Sequence, residues 1–475
     1  MTVPREGTPV ALHPLLDDVA ARAAGFLESL PDRAVAPAAA AEELREALGG
    51  PLPGGPRDPG LVIAELAGAA EPGLMATPGG RFFGFVIGGS LPAALAADWL
   101  ASAWDQNAGL YAAAPAASVV EEVCGEWLIE LFGLPGHVSY GLVTGCQMAN
   151  FTALAVARHS VLGAAGWDVE ADGLAGAPPV RVIVGEERHV TIDRALRFLG
   201  LGTASLSTVP TDDQGRMRAD ALGDALARSS GPTIVCAQAG NVNTGAVDPL
   251  GAICDAAHEA GAWVHVDGAF GMWAAASPTL RPLVEGMERA DSWATDAHKW
   301  LNVPYDSGLV FCAHPAAHRA AMGSQASYLV YSEDRERDAM DWNPDFSRRA
   351  RGFAVYAAIR SLGRSGVADL VERCCAHARR FAEALGREPG IEVLNDVVLN
   401  QVLVRFLDPG EDHDARTRAV VKAVQEEGTC WLGGTTWQGK AAMRISVSNW
   451  STTTEDVDRS VAAILRAANG GRAGT

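Results

Sequence analysis

The sequence predicts an α/β fold: a mostly parallel central sheet flanked by helices, with a helical segment ahead of it and a small α+β unit behind. Three observations predict it. Beyond residue 90, short apolar, β-branched runs alternate with helical stretches at the spacing of βαβ crossovers. One such run, AWVHV at 262–266, ends on a carboxylate, Asp267, at the strand end where parallel sheets place ligands. Residues 49–60 (GGPLPGGPRDPG) are rich in helix breakers and part the alternating region from a helical start.

The first unit is expected over 1–90. It holds two helical patterns, 13–30 and an alanine-rich 37–48, and fits two or three helices. The large unit is expected over 91–365. Residues 119–132, 151–162 and 250–260 carry helical spacing, and strands are predicted at 180–184, 233–237, 262–266 and 309–312. Residues 163–179 read as a surface excursion. The strongly charged stretch 326–347, which holds a proline, reads as a long mobile loop. The C-terminal unit, 366–475, opens with a helix over 367–385 and continues as strand 401–406, helix 415–427 and strand 442–448. The last residues, NGGRAGT, are expected to fray. No internal repeat is present.

Composition narrows the function classes. A chain of 475 residues with 48% hydrophobic content can bury a sizeable core. The net charge of −19 argues against a nucleic-acid surface and against an anionic membrane surface. No apolar run reaches the ~18 residues of a membrane span, and the most apolar stretch, 91–104, is interrupted by Asp98. The N-terminus lacks the pattern of a secretion signal. The eight cysteines are scattered without a C-x-x-C pair, so they read as reduced thiols of a cytoplasmic protein, and no metal site is expected.

The residues that carry chemistry follow from local context. Most lysines stand in water, but Lys299 ends the run Trp293-Ala294-Thr295-Asp296-Ala297-His298 and precedes Trp300-Leu301. Desolvation lowers a lysine's pKa and leaves more of its amine nucleophilic, so a depressed pKa is expected here. Asp267 suits either a helix cap or a partner for a protonated ring nitrogen. Gly268 and Ala269 beside it are small enough to admit a flat ring. Gly141-Leu142-Val143-Thr144-Gly145-Cys146-Gln147 leads into a helix near Met148. Small and polar residues there leave backbone N–H groups free for an anion such as a phosphate, with Thr144 and Gln147 as further donors. An ordinary capped helix carries the same signature.

Together, Val264-His265-Val266-Asp267-Gly268-Ala269 and Asp296-Ala297-His298-Lys299-Trp300 closely resemble the group II pyridoxal 5′-phosphate (PLP)-dependent amino-acid decarboxylases. That family includes the aromatic-L-amino-acid, tyrosine, histidine and glutamate decarboxylases. The resemblance extends from Phe82-Phe83-Gly84-Phe85 to the C-terminal unit. It implies the PLP-dependent transferase fold type I, PLP as cofactor, an amino-acid substrate and a homodimer with shared active sites.

The resemblance also implies roles. The cofactor-bearing lysine falls on Lys299, the ring-nitrogen aspartate on Asp267 and the residue under the ring on Ala269. His189 matches the histidine stacked on the ring, Cys146 and Gln147 the phosphate turn, and His298 a neighbour of the phosphate. Gln238 stands where the family has a threonine near the ring hydroxyl. Asp296 departs from the family's usual Asn-Pro-His-Lys. An acidic group near a phosphate is unfavourable, so Asp296 is expected to point elsewhere or to be compensated by a neighbour. Tyr328, with Tyr331 as competitor, matches the loop tyrosine that helps protonate the substrate carbon after CO₂ leaves. Arg348 matches the arginine that follows this loop.

The substrate pocket maps to Phe85, Val86, Ile87 and, from the partner subunit, Leu110 and Tyr111, with Arg81 and Arg348 nearby. This lining favours an aromatic or bulky apolar amino acid, decarboxylated to its amine. The competing readings are an oxidative aldehyde synthase, an aminotransferase-like enzyme, a decarboxylase of acidic or basic amino acids, and a non-catalytic PLP-fold subunit.

Overall fold

The structure, a computed structural model, describes residues 12–204, 206–228, 230–324, 336–410 and 412–470. The central sheet holds seven strands: β1 (Ser139–Val143), β2 (Arg181–Gly185), β3 (Ser207–Val209), β4 (Thr233–Gln238), β5 (Trp263–Asp267), β6 (Ser292–Asp296) and β7 (Gly308–Cys312). Their order is β1-β7-β6-β5-β4-β2-β3. Strand β7 pairs antiparallel with β1 and β6, and every other pairing is parallel. Every residue of β5, β6 and β7 is buried. Helices on both faces cover such a sheet, so its strands read as apolar runs rather than alternating ones.

Strands β2, β4, β5 and β7 lie at the predicted runs. β1 (SYGLV) and β6 (SWATD) escaped the pattern because polar residues interrupt them. Those polar side chains are spent on core hydrogen bonds and on the site at the end of β6. Trp273, Trp293 and Trp300 are fully buried beneath that end, and the Trp273 indole donates to the Asp296 carbonyl at 3.0 Å.

The C-terminal sheet is antiparallel throughout, in the order β10-β11-β9-β8, with β8 (Ile391–Val393), β9 (Gln401–Phe406), β10 (Gly433–Trp437) and β11 (Lys440–Ser446). A helix over Gly352–Gly386 links the two sheets and breaks at Gly363, where φ is 62°. A glycine at that angle avoids the strain a side chain would meet. The expected start of the last unit, residue 366, therefore falls just past the break.

Three helices lead the chain, Leu12–Ser29, Ala41–Leu48 and Pro59–Ala70, and none carries a buried residue. The strap that follows docks on the C-terminal sheet: Phe83 N donates to Trp431 O at 2.7 Å, and Ser446 N to Phe83 O at 3.0 Å. Arg81 is buried there. It donates to the carbonyls of Thr429, Pro31 and Arg33, so it ties the N-terminal unit to the C-terminal one and does not face a substrate.

The stretch expected to be a mobile loop is corrected in its second half. Residues 325–335, which include Tyr328 and Tyr331, lie outside the described residues. Beyond them, Asp338, Met340, Asp341 and Asn343 are buried. Asp338 accepts from Tyr111 N at 2.8 Å, and Met340 N donates to Gly109 O at 3.0 Å. Asp341 is paired rather than solvated, with Arg319 at 2.8 Å. Among the described residues, no helix is long and apolar enough to cross a membrane.

Arg348 anchors this segment from within. Its guanidinium is fully buried, meets Glu121 at 2.7 Å, and donates to the carbonyls of Ala108 and Leu142. It is committed to the core, which corrects its placement among the substrate contacts. Truncating one partner of a buried pair strands the other charge at a cost of about 3–5 kcal/mol. Glu121→Ala is expected to lose stability on that scale in urea unfolding, and an unchanged midpoint would refute this role for the pair.

Candidate active site

The parallel strands end at one edge of the sheet, and the sequence-predicted residues meet there. β1 runs through Gly145 into a helix over Cys146–Ala164. β2 leads to His189, the N-cap of the helix Val190–Phe198. β4 ends on Gln238, β5 on Asp267 and β6 on Asp296, with Lys299 one turn beyond. β7 starts at the same edge, and a Cβ on its Gly308 would come 2.4 Å from the Gly145 backbone. Only paired glycines allow that approach.

Asp267 is 3% exposed. Its Oδ2 accepts from Asn150 Nδ2 at 3.2 Å, and its Oδ1 from Ala269 N at 3.2 Å and Cys146 Sγ at 3.4 Å. Behind it runs a chain of neutral groups. Trp263 Nε1 donates to Ser292 Oγ at 2.9 Å, and Ser292 Oγ meets His265 Nδ1 at 3.0 Å. His265 Nε2 meets Asn150 Oδ1 at 2.9 Å. The Asn150 amide already donates to Asp267, so its oxygen accepts from His265 Nε2–H, and Nδ1 accepts from the serine. Every proton in the chain thus points toward Asp267. Burial pushes the His265 imidazole down to about 4, which keeps it in the neutral form this direction requires.

His189 Nδ1 accepts from Thr191 N at 3.4 Å and meets Thr191 Oγ1 at 2.8 Å. Its proton is therefore on Nε2, and burial holds its pKa below the ordinary value. Gln238 Oε1 accepts from His189 N at 3.2 Å, so this side chain positions the histidine. His298 Nδ1 accepts from Ser307 N at 3.1 Å, and its ring stacks on Tyr305 with centroids 4.2 Å apart. Gln147 Nε2 donates to Thr191 O at 3.4 Å.

One expectation changes at Lys299, and the alternatives for Asp296 are decided. Its Nζ lies 3.0 Å from Asp296 Oδ2. Burial alone would lower the amine's pKa, but the Asp296 carboxylate outweighs it, so the pKa is raised. The expected depression considered desolvation without the partner. Asp296, in turn, does not point away. Its Oδ1 accepts from Cys146 N at 2.5 Å and lies 3.3 Å from His298 Nε2, so the acidic group sits at the helix start and is compensated by neighbours.

The expected pocket residues divide. Phe85 is exposed and stacks on Trp431 at 5.5 Å, whereas Val86 belongs to the main core and Ile87 packs with Val35, Ala76 and Phe82. Leu110 and Tyr111 are half-buried beside the segment 338–343.

Sequence reasoning missed Asn150, the role of His265, and Arg444. Arg444 lies mid-strand in β11, meets Asn243 Oδ1 at 3.5 Å and sits close enough to His189 to depress its pKa. Among the described residues it has no carboxylate within 4.0 Å. A lone arginine inside an apolar strand (AAMRISVS) was the available signal.

This donor set fits PLP. It offers an amine for the aldehyde carbon, a buried carboxylate for the ring nitrogen, an imidazole beside them, and a helix N-terminus for the phosphate. Gly145 fits the close packing there, since a Cβ on it would come 3.1 Å from His298 Cε1, and Asp296 Oδ1 takes the Cys146 N–H. Fold and donor set together define a pyridoxal-phosphate enzyme of fold type I. The chain belongs to the pyridoxal-dependent decarboxylase family: residues 62–407 match the family described as "Pyridoxal-dependent decarboxylase conserved domain".

The chain is 28% identical to the aromatic-L-amino-acid decarboxylase of Bacillus atrophaeus over 79% of its own length and 78% of that protein. It is 29% identical to the human cysteine sulfinic acid decarboxylase, covering 80% of each. The structure of Oryza sativa TDC with PLP and tryptamine superposes with a TM-score of 0.91 at 23% identity, covering 99% of this chain and 100% of that one, and supports the fold.

The buried neutral His265 makes a pH prediction. Its folded pKa of about 4 lies below the ordinary value, so the unfolded chain takes up its proton first as pH falls. Its stabilising contribution is whole above pH ~6.5 and is lost toward pH 4, about 3 kcal/mol in all. Wild type is expected to lose that much more than His265→Gln in urea unfolding between about pH 7 and pH 4. Parallel losses in the two proteins would refute it.

Proposed function

We propose that this enzyme decarboxylates an L-amino acid with an aromatic or bulky apolar side chain, releasing the amine and CO₂. The observation that carries the proposal is the placement of Asp267 at the end of one parallel strand and of Lys299 one turn beyond the end of the next, Asp267 buried, Lys299 half-buried, and each with its partners in place. When bound, PLP supplies an electron sink for the bond that breaks at the substrate's α-carbon. Lys299 would hold the cofactor through its amine. Asp267, fed by Asn150 and Ala269, holds the proton on the ring nitrogen. His189 would pack against the ring, and Ala269 would lie beneath it. Cys146, Gln147 and His298 hold the phosphate end, and Gln238 positions His189. Tyr328, in the segment outside the described residues, returns a proton to the α-carbon after CO₂ leaves.

The mapping of Phe85 and Tyr111 to the pocket by resemblance supports the apolar side-chain preference. Arg444 favours a second reading, an acidic amino acid, because it is a largely desolvated cation near His189 with no carboxylate within 4.0 Å among the described residues.

A homodimer fits the exposed apolar residues of the N-terminal helices, among them Leu16, Leu61 and Leu66, together with Trp99, Leu100 and Trp104. A second copy of the chain covers such a face. Eight free, buried cysteines suit a cytoplasmic protein.

Purified protein with PLP is expected to show a band near about 420 nm that borohydride abolishes, and Lys299→Ala is expected to lack it. Incubation with a panel of aromatic, acidic and basic amino acids, measuring CO₂, amine, aldehyde and hydrogen peroxide, tests the reaction. Amine and CO₂ from aromatic substrates are expected. Aldehyde with peroxide as main products would remove simple decarboxylation, and turnover confined to acidic substrates would install the Arg444 reading. Tyr328→Phe is expected to suppress amine formation by about 10²-fold or more; an unchanged rate would exclude its role.

A further inference from the structure

An acidic side chain stands in this site where an anion-binding cradle is built. The helix Cys146–Ala164 receives no cap from its own N-cap residue, Gly145. Its anion comes from another strand: Asp296 Oδ1 accepts from Cys146 N at 2.5 Å. The same carboxylate is 3.3 Å from His298 Nε2 and 3.0 Å from Lys299 Nζ. Its backbone is fixed on both sides, with N donating to Ala269 O at 2.9 Å and O accepting from Trp273 Nε1 at 3.0 Å. The side chain is 4% exposed.

We propose that Asp296 occupies the phosphate position of this site and competes with the cofactor phosphate for the N-terminus of helix 146–164, making it the residue that sets cofactor retention. The proposal rests on the reading that the phosphate is held at Cys146-Gln147. A phosphate monoester carries about −1.5 to −2 charges at neutral pH. It cannot share Cys146 N–H with a carboxylate already bonded to that group. With the backbone held, the carboxylate has two ways to yield: it turns about its side-chain bonds, or it takes up a proton. Either forfeits the bond to Cys146 N–H or the pairing with Lys299, and the loss weakens cofactor binding.

The pairing with Lys299 gives the competition a second consequence. While Asp296 holds the ammonium, the amine is kept protonated, and displacement of Asp296 by the phosphate frees it. Asp296 is thus a positioning residue for cofactor loading, distinct from Asp267, whose partners are neutral donors.

Asp296→Asn separates charge from shape, because its amide oxygen still accepts from Cys146 N–H. Apoenzyme of wild type and variant is titrated with PLP, pyridoxal and inorganic phosphate, following tryptophan fluorescence, and apoenzyme melting is recorded with and without phosphate. The variant is expected to bind PLP about tenfold tighter or more, and to acquire phosphate binding that raises its melting temperature. Pyridoxal, which lacks the phosphate, is expected to change by less than about twofold. PLP binding that is unchanged or weaker in the variant would overturn the proposal. So would a gain for pyridoxal as large as that for PLP, which would reveal a general charge effect rather than competition for one position. If neither protein binds PLP, the cofactor reading falls and takes the proposal with it. Asp296→Ser, judged by the same titrations, stands in if the asparagine variant fails to fold.

Discussion

Parallel strands that share a direction must end at a common edge, and this site is the product of that constraint. The ends of β1, β2, β4, β5 and β6 deliver a helix N-terminus, an imidazole, an amide, a carboxylate and an amine to one place. No local sequence feature could gather them, since the groups come from residues 145 to 299. The gathering demands close packing. Gly308 lies against Gly145, and a Cβ on Gly88 would come 1.9 Å from the Lys299 carbonyl oxygen. The backbone at Lys299 is therefore packed against a chain segment that tolerates no side chain.

Two carboxylates end adjacent strands, and burying both would be costly unless each is compensated. They are compensated differently. Asp267 receives donors from neutral groups, and the chain from Trp263 through Ser292, His265 and Asn150 keeps every proton directed at it. Its charge is stabilised without being cancelled, and so remains available to a protonated ring. Asp296 is met by Lys299 and His298 and by a backbone N–H, so its charge is largely spent. The same residue type at equivalent strand ends thus does opposite work, and the difference lies entirely in what surrounds it.

Much of this was legible in the sequence. Buried parallel strands make apolar runs, so β2, β4, β5 and β7 showed themselves, and Lys299 and Asp267 stood out through their flanks. β6 did not, because its serine, threonine and aspartate serve the core hydrogen bonds and the site. Partnership was the harder thing to read. Asn150 reaches His265 across 115 positions, and Asp296 reaches Cys146 across 150. The sign of the Lys299 shift failed for the same reason, since burial is visible in apolar flanks and a compensating carboxylate is not. The docking of Arg81–Phe83 on the C-terminal sheet was likewise hidden, because nothing in either segment names the other.

The arginines show how burial sorts a residue type into separate tasks. Arg81 and Arg348 were both placed near the pocket by the sequence. Each is instead committed to the fold: Arg81 to backbone carbonyls, Arg348 to Glu121 and two carbonyls. A guanidinium whose donors are consumed by the fold cannot be withdrawn for a ligand without leaving those acceptors unpaired. Arg444 differs in that its desolvation is not repaid by any carboxylate among the described residues, while its field reaches His189. A cation held in that condition is stabilised by whatever anion enters beside it.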